Sequence, residues 1–313
     1  MIHEISYALV PFFFSMATGY LAGKLARGAM PLSSINTMLV DYALPFALLL
    51  YTAKMQRASL SSHLMLILLL VVVMLAPYFV SLALSRFIFN AAPSDAAVRA
   101  VTVGMPNFAA VGLPLLHSVY GDDSDLTVAL AITIASVVMS PAGLILLERA
   151  KTYESGGPQT NLLAKALVTT LVKPIVIAPI LGILVSLAGW QLPGLLVQSL
   201  NIIGSTTAGL ALFSTGLILA SQPFRLDKEV WTGVALSNVL QPLIAFLLVV
   251  LLALPKPIAG EAILLSAIPC GSFGILFGLS YGVQDTTAGT TLVASSVLSI
   301  ISLTATIFLL GYL

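Results

Sequence analysis

Apolar stretches alternate with short polar turns along the whole chain. A helix that crosses a bilayer needs about 20 mostly apolar residues. Stretches that meet this length cover roughly 5–23, 32–53, 63–89, 97–119, 125–147, 162–188, 195–220, 230–254, 259–281 and 287–311. This pattern predicts an all-α polytopic membrane protein with ten spans. The largest polar piece, 148–161, is a short linker and leaves no room for a separate soluble domain.

Two spans are interrupted near their centres, at Met105-Pro106-Asn107 in span 4 and at Ile268-Pro269-Cys270-Gly271-Ser272 in span 9. Proline lacks an N–H and its ring clashes with the preceding turn, so it breaks a helix. In hydrocarbon the freed backbone groups need partners from protein or from a water-filled cavity. Paired interruptions at corresponding places in two halves of a chain point to a transporter's binding site.

The halves do correspond. Pro174 follows Pro11 by 163 positions, and Pro269 follows Pro106 by the same 163. Asn36 and Asn201 are 165 apart, as are Pro77 and Pro242. Each unit holds five spans, an odd number, so the second unit enters the membrane from the opposite side. The prediction is an inverted repeat: 1–147 as the first unit, 148–161 as a cytoplasmic linker and 162–313 as the second. Spans 4 and 9 then run antiparallel and cross near the midplane, with helix N-termini near Asn107 and Gly271 directed at the crossing. Helix N-termini carry free N–H groups and about half a positive charge, which suits an anion.

Composition agrees with the membrane reading: 59% of residues are hydrophobic and 8% are charged, against about a quarter charged in a soluble domain. Net charge is +1, which gives no case for nucleic acid. The single cysteine, Cys270, excludes an intramolecular disulfide. No basic n-region precedes the first span, so it reads as a retained helix rather than a signal peptide. Lys and Arg set orientation. With the N-terminus outside, nine fall on inner loops (Lys24, Arg27, Arg86, Arg99, Arg149, Lys151, Lys165, Arg225 and Lys228) and three on outer loops (Lys54, Arg57 and Lys256). Both termini are therefore expected outside.

Pro106, Asn107, Pro269, Cys270, Gly271 and Ser272 are the candidate substrate-binding residues. Asn107 caps the second half of span 4 or contacts substrate, and Cys270 and Ser272 fill space or contact it from the other side. Asp41 and Lys173 are the charges within spans. Burying such a charge costs roughly 2.5–3.5 kcal/mol at a helix centre, so both are expected to face the protein interior. They form a structural pair, or Asp41 takes a proton and Lys173 draws in the anion. Asn238 and Gln241 are secondary polar lining, alongside Thr206 and Thr207 in span 7, where interhelical packing is the plainer role. His117 reads as a packing histidine and Asp122–Asp125 as a solvated outer turn. No nucleophile elbow, zinc-protease motif, phosphate loop or cysteine cluster occurs, so no enzyme, metal or cofactor is expected.

Asn36…Ala43-Leu44-Pro45, Pro106-Asn107 through Gly112-Leu113-Pro114-Leu115, Lys173-Pro174 and Pro269…Tyr281-Gly282 together resemble the auxin efflux carrier family, over nearly the whole chain. The short loops and Lys-Pro in span 6 look most like its bacterial malonate-transporter-like branch. The resemblance implies two inverted five-helix repeats, a scaffold of spans 1, 2, 6 and 7 that dimerises, and a moving unit of spans 3–5 and 8–10. It also implies an asparagine after each crossover proline. Asn107 matches, whereas Cys270 stands at the second place. The expected function is secondary transport of a small organic anion, a mono- or dicarboxylate of malonate size, across a bacterial inner membrane by elevator-type alternating access. The rivals are a sodium-coupled organic-anion symporter of the bile-acid type and a non-transporting membrane sensor.

Overall fold

A computed structural model describes residues 2–25, 32–54, 63–121, 124–156, 162–221 and 225–310. Arg27, Arg57, Asp122, Asp123 and the 157–161 part of the linker lie outside the described residues. Among the described residues the chain is helical, without a β-strand.

Among the described residues, six runs are long and apolar enough to cross a membrane. They are Leu32–Ala53 (α2), Leu64–Ile88 (α3), Leu126–Glu154 (α6), Gly194–Leu217, Lys228–Leu251 (α11) and Thr286–Leu310 (α14). Within Gly194–Leu217 a turn at Ser205–Thr206 separates Gly194–Gly204 (α9) from Thr207–Ser221 (α10). The first helix, Ile2–Leu25 (α1), is 24 residues long. Spans 4 and 9 are split where the sequence places their breaks, and span 6 is split as well, beside Pro174. Pro93–Gly104 (α4) is followed across Met105-Pro106-Asn107 by 108–120 (α5). Leu162–Leu171 (α7) gives way at Val172-Lys173 to Pro174–Leu187 (α8). Lys256–Ser266 (α12) is followed across 267–272 by Phe273–Ser280 (α13). The linker expected from Glu148 begins later than the polarity suggests, because α6 stays helical to Glu154.

Proline shapes the unbroken helices too. The π-helical turns Met38–Ala43, Phe108–Gly112, Ala135–Met139 and Leu236–Leu240 each end two residues before a proline: Pro45, Pro114, Pro141 and Pro242. A proline ring collides with the carbonyl four residues back, and one widened turn relieves that collision without ending the helix.

Two helix pairs pack backbone to backbone. In the α1–α10 pair, a Cβ on Gly19 would lie 2.0 Å from the Phe213 carbonyl oxygen, and one on Gly216 2.1 Å from that of Met16. In the α2–α8 pair, a Cβ on Gly182 would lie 2.0 Å from Thr52 Oγ1 and 2.6 Å from the Leu49 carbonyl oxygen. Close approach through small residues is how helices associate where lipid removes the hydrophobic drive. The second body is built on α4, which packs against α3, α6 and α13.

Candidate functional site

The two interruptions cross. Pro106 and Cys270 form an antiparallel bridge. The Asn107 N–H donates to the Pro269 carbonyl at 3.1 Å, and the Gly271 N–H donates to the Thr102 carbonyl at 3.3 Å. The chains touch closely enough that a Cβ on Gly271 would sit 2.2 Å from the Met105 carbonyl oxygen. Bonds lost to the prolines are thus replaced by bonds from the opposite strand, as a low-dielectric interior requires.

This exchange changes the expected chemistry. The amides of Asn107 and Gly271 were the predicted free donors, and both are taken. The Cys270 N–H is also taken: it donates to Ser295 Oγ in α14 at 3.1 Å. The Ser295 hydroxyl donates in turn to Asn238 Oδ1 at 2.6 Å, and Asn238 Nδ2 donates back to the Ser295 carbonyl at 2.9 Å. Asn238 therefore braces the crossing from behind. The Asn107 carbonyl accepts the amides of Val111 at 3.0 Å and Gly112 at 3.2 Å, which starts α5 with a widened turn. The Phe108 N–H is spent on the Pro106 carbonyl at 2.9 Å, so the donors left to a ligand begin one residue further into α5 and at the start of α13, since a helix's first N–H groups have no acceptor within it.

A cavity of about 90 Å³ opens beside the crossing. Met105, Phe108, Ala109 and Phe273 line it from the crossing side, and Leu44, Tyr51 and Thr207 from α2 and α10. It is largely apolar, with Ser136, Ser140, Ser205 and Thr207 adding hydroxyls. Ser136 and Ser140 spend theirs on the carbonyls of Ile132 and Ala135. Thr207 Oγ1 is buried and has no hydrogen-bond partner among the described residues. Among the described residues, no lysine or arginine lines the cavity.

None of the six predicted binding residues lines this space; their immediate neighbours do. Pro106, Pro269, Cys270, Gly271 and Ser272 are buried in the crossing itself, as is Asn107. Gln241 is buried too, with Nε2 donating to the Val73 carbonyl at 3.4 Å, a bond between α11 and α3. Lys173 is half-buried at the α7–α8 break, with Nζ 4.2 Å from the centroid of the Tyr281 ring and within electrostatic reach of Glu148 and Asp41. Asp41 differs from expectation: it lies in the π-helical turn Met38–Ala43 and is exposed on the surface of α2. His117 is exposed near the end of α5.

Sequence reading passed over a second polar centre. Arg99 of α4 donates from Nε and Nη2 to the Asp285 carboxylate at 2.8 and 3.0 Å, and from Nη1 to Glu229. Counting Arg99 as a loop charge hid it. The signal was present in the sequence as Asp227-Lys228-Glu229 opening α11 and Asp285 opening α14.

The whole chain has relatives. A family model described as membrane transport protein matches residues 4–307. The transporter YfdV of Escherichia coli (strain K12) is 28% identical over 296 residues, covering 94% of this chain and 93% of the relative. A protein of Rhizobium meliloti (strain 1021) named for malonate transport is 23% identical over 322 residues, covering 98% and 96%. Auxin efflux carrier component 8 of Arabidopsis thaliana is 22% identical over 365 residues, covering 99% and 98%. The split helices, their crossing and the extent of these matches lead to one assignment: the chain belongs to the membrane transport protein family, that of the auxin efflux carriers.

Proposed function

We propose that this protein is a secondary transporter of a small organic anion, a mono- or dicarboxylate of about malonate size. The observation that carries this reading is the cavity where Met105, Phe108 and Phe273 face Leu44, Tyr51 and Thr207. It touches the crossing on one side and α2 with α10 on the other. A solute held there is carried if the two sides slide. The amide ends of α5 and α13 attract the carboxylate, and the Thr207 hydroxyl is an unspent donor. The Rhizobium relative's name supports the malonate class.

The architecture we infer is ten spans in two inverted five-span repeats, 1–147 and 162–313, with both termini periplasmic and the 148–161 linker cytoplasmic. A repeat that relates span 1 to span 6 and span 2 to span 7 requires a matching packing rule. If span 1 packs on span 7, span 6 must pack on span 2. The α1–α10 and α2–α8 pairs support that symmetry. They make up the scaffold, and spans 3–5 with 8–10 make up the elevator. The scaffold dimerises in a bacterial inner membrane, and the protein needs no cofactor and no catalytic residue.

The test is uptake of labelled mono- and dicarboxylates into proteoliposomes, comparing the native chain with Ala109→Phe, which fills the cavity. Saturable uptake of a carboxylate that the variant loses, while it stays monodisperse and folded, supports the reading. Equal uptake by both moves the site elsewhere, and no carboxylate flux under any imposed gradient overturns it.

A further inference from the structure

A second, larger opening lies far from the crossing, where α3 and α6 end side by side. It has a volume of about 610 Å³. Phe79 and Phe87 of α3 and Leu146 and Tyr153 of α6 form its floor, and Arg86 and Arg149 stand among them. Phe79, Phe87 and Tyr153 are 58%, 83% and 61% exposed. Among the described residues, no carboxylate lines it. The acids nearest in sequence are drawn elsewhere: Glu148, beside Arg149, is half-buried within electrostatic reach of Lys173 and Tyr281, and Glu154 accepts the Ser94 N–H at 2.8 Å and pairs with Lys151 at 3.7 Å.

The two arginines are differently held. Arg86 sits in the π-helical turn Leu84–Ile88 and donates through Nη1 to the Ala91 carbonyl, which fixes its stem. A guanidinium has five N–H donors, so most of its donors remain. Arg149 is exposed and has neither hydrogen bond nor ion pair among the described residues. Two guanidiniums at the end of two apolar helices, over an aromatic floor, have one chemical complement. It is a planar or tetrahedral oxyanion attached to a long apolar chain. Arginine matches phosphate with parallel N–H bonds, and basic pockets between membrane helices take anionic lipid head groups. The volume also exceeds what a bare anion fills.

We propose that this groove binds one anionic glycerophospholipid of the phosphatidylglycerol class, its phosphate on Arg86 and Arg149 and an acyl chain along Phe79 and Phe87. The lipid joins the ends of α3 and α6 and rests on the turn that leads into α4. This site is independent of the transported solute.

The experiment is native mass spectrometry of the detergent-purified full chain, titrated with phosphatidylglycerol, with phosphatidylcholine of the same chains, or with inorganic phosphate. The native protein is expected to keep one phosphatidylglycerol per chain and to discriminate against phosphatidylcholine. Arg86→Gln with Arg149→Gln should weaken retention at least about tenfold, the effect of losing one charge-assisted hydrogen bond. Arg86→Lys with Arg149→Lys should recover part of it. If the double glutamine variant is not monodisperse, Arg149→Gln alone, at an exposed position, carries the comparison. Equal retention of phosphatidylglycerol by native and variant protein overturns the proposal. So does equal retention of phosphatidylcholine, or displacement of the lipid by inorganic phosphate, which would make this a simple anion site.

Discussion

The hydroxyl of Ser295 accepts the N–H of Cys270 at 3.1 Å, and through it α14 holds the strand that crosses Pro106. The same hydroxyl donates to Asn238 Oδ1 at 2.6 Å. Ser295→Ala removes both partners from groups that stay buried. A buried polar group left unsatisfied costs about 1–3 kcal/mol, so the variant should melt measurably lower in detergent. Asn238→Ala should do the same. The double variant should cost less than the sum, because the two residues share one network. Additive losses in thermal unfolding would show that the network does not act as a unit.

Gly271→Ala should abolish folded, active protein. Its Cβ would meet the Met105 carbonyl oxygen at 2.2 Å, a backbone atom that cannot rotate away. Gly209→Ala is the matched control in α10, with nothing within 4 Å of the added methyl. Replacing a helical glycine by alanine is worth up to about 1 kcal/mol, so this control should be neutral or more stable. Fluorescence-detected size exclusion of the two variants separates the cases at once.

Asp285→Asn should destabilise more than Glu229→Gln. Arg99 gives Asp285 two bonds, and that carboxylate's side chain is 5% exposed against 28% for Glu229. Removing one partner of a buried pair costs about 3–5 kcal/mol, with the more exposed partner screened toward the surface value. Thermal unfolding that ranks Glu229→Gln as the worse variant would contradict this order.

Lys173 before α8 and Asn36 in α2 both reach α13 or the residue that ends it. Lys173 Nζ lies over the Tyr281 ring, and Asn36 Nδ2 donates to the Leu276 carbonyl at 3.3 Å and Ser280 Oγ at 3.1 Å. The proposed sliding of α13 past α2 and α8 would break these contacts. Tyr281→Leu removes a cation–π contact worth about 0.5–2 kcal/mol. It should change uptake rate more than melting temperature. An unchanged rate with a lowered melting point would assign the contact to stability alone.

The Gly194–Leu217 run is mostly unburied, with 11% of its apolar 18-residue window inside the protein, and Gln198 and Asn201 are exposed on it. Polar side chains facing hydrocarbon are costly, so a second copy of the chain should cover them. Asn201→Cys is expected to crosslink to a dimer in membranes under mild oxidation. The native Cys270 is fully buried and supplies the background control. Crosslinking no greater than that of the native chain would place the interface on another face.

The membrane class, the helix breaks at Pro106, Lys173-Pro174 and Pro269, and the 163-residue spacing were all legible in the residues. Each is a local property: apolar run length decides spanning, and a missing N–H decides where a helix stops. Four of the widened turns follow from Pro45, Pro114, Pro141 and Pro242, whereas the one at Leu84–Ile88 has no proline two residues on. The candidate residues and the cavity lining are neighbours in the chain. Met105, Phe108 and Phe273 line the cavity while the prolines, Asn107 and Cys270 close on each other.

What the sequence by itself determined is therefore the place of each interruption and the kind of solvent around it. Only the tertiary structure decided what answers each freed backbone group: Pro269 for Asn107, Thr102 for Gly271 and Ser295 for Cys270. It also decided that Arg99 meets acids from residues 229 and 285, and that Asp41 turns outward. The physical reason is the same throughout. A break creates unpaired groups locally, but their partners come from other elements, 25 residues away for Cys270 and Ser295 and farther for the other two, and which partner arrives is set by packing.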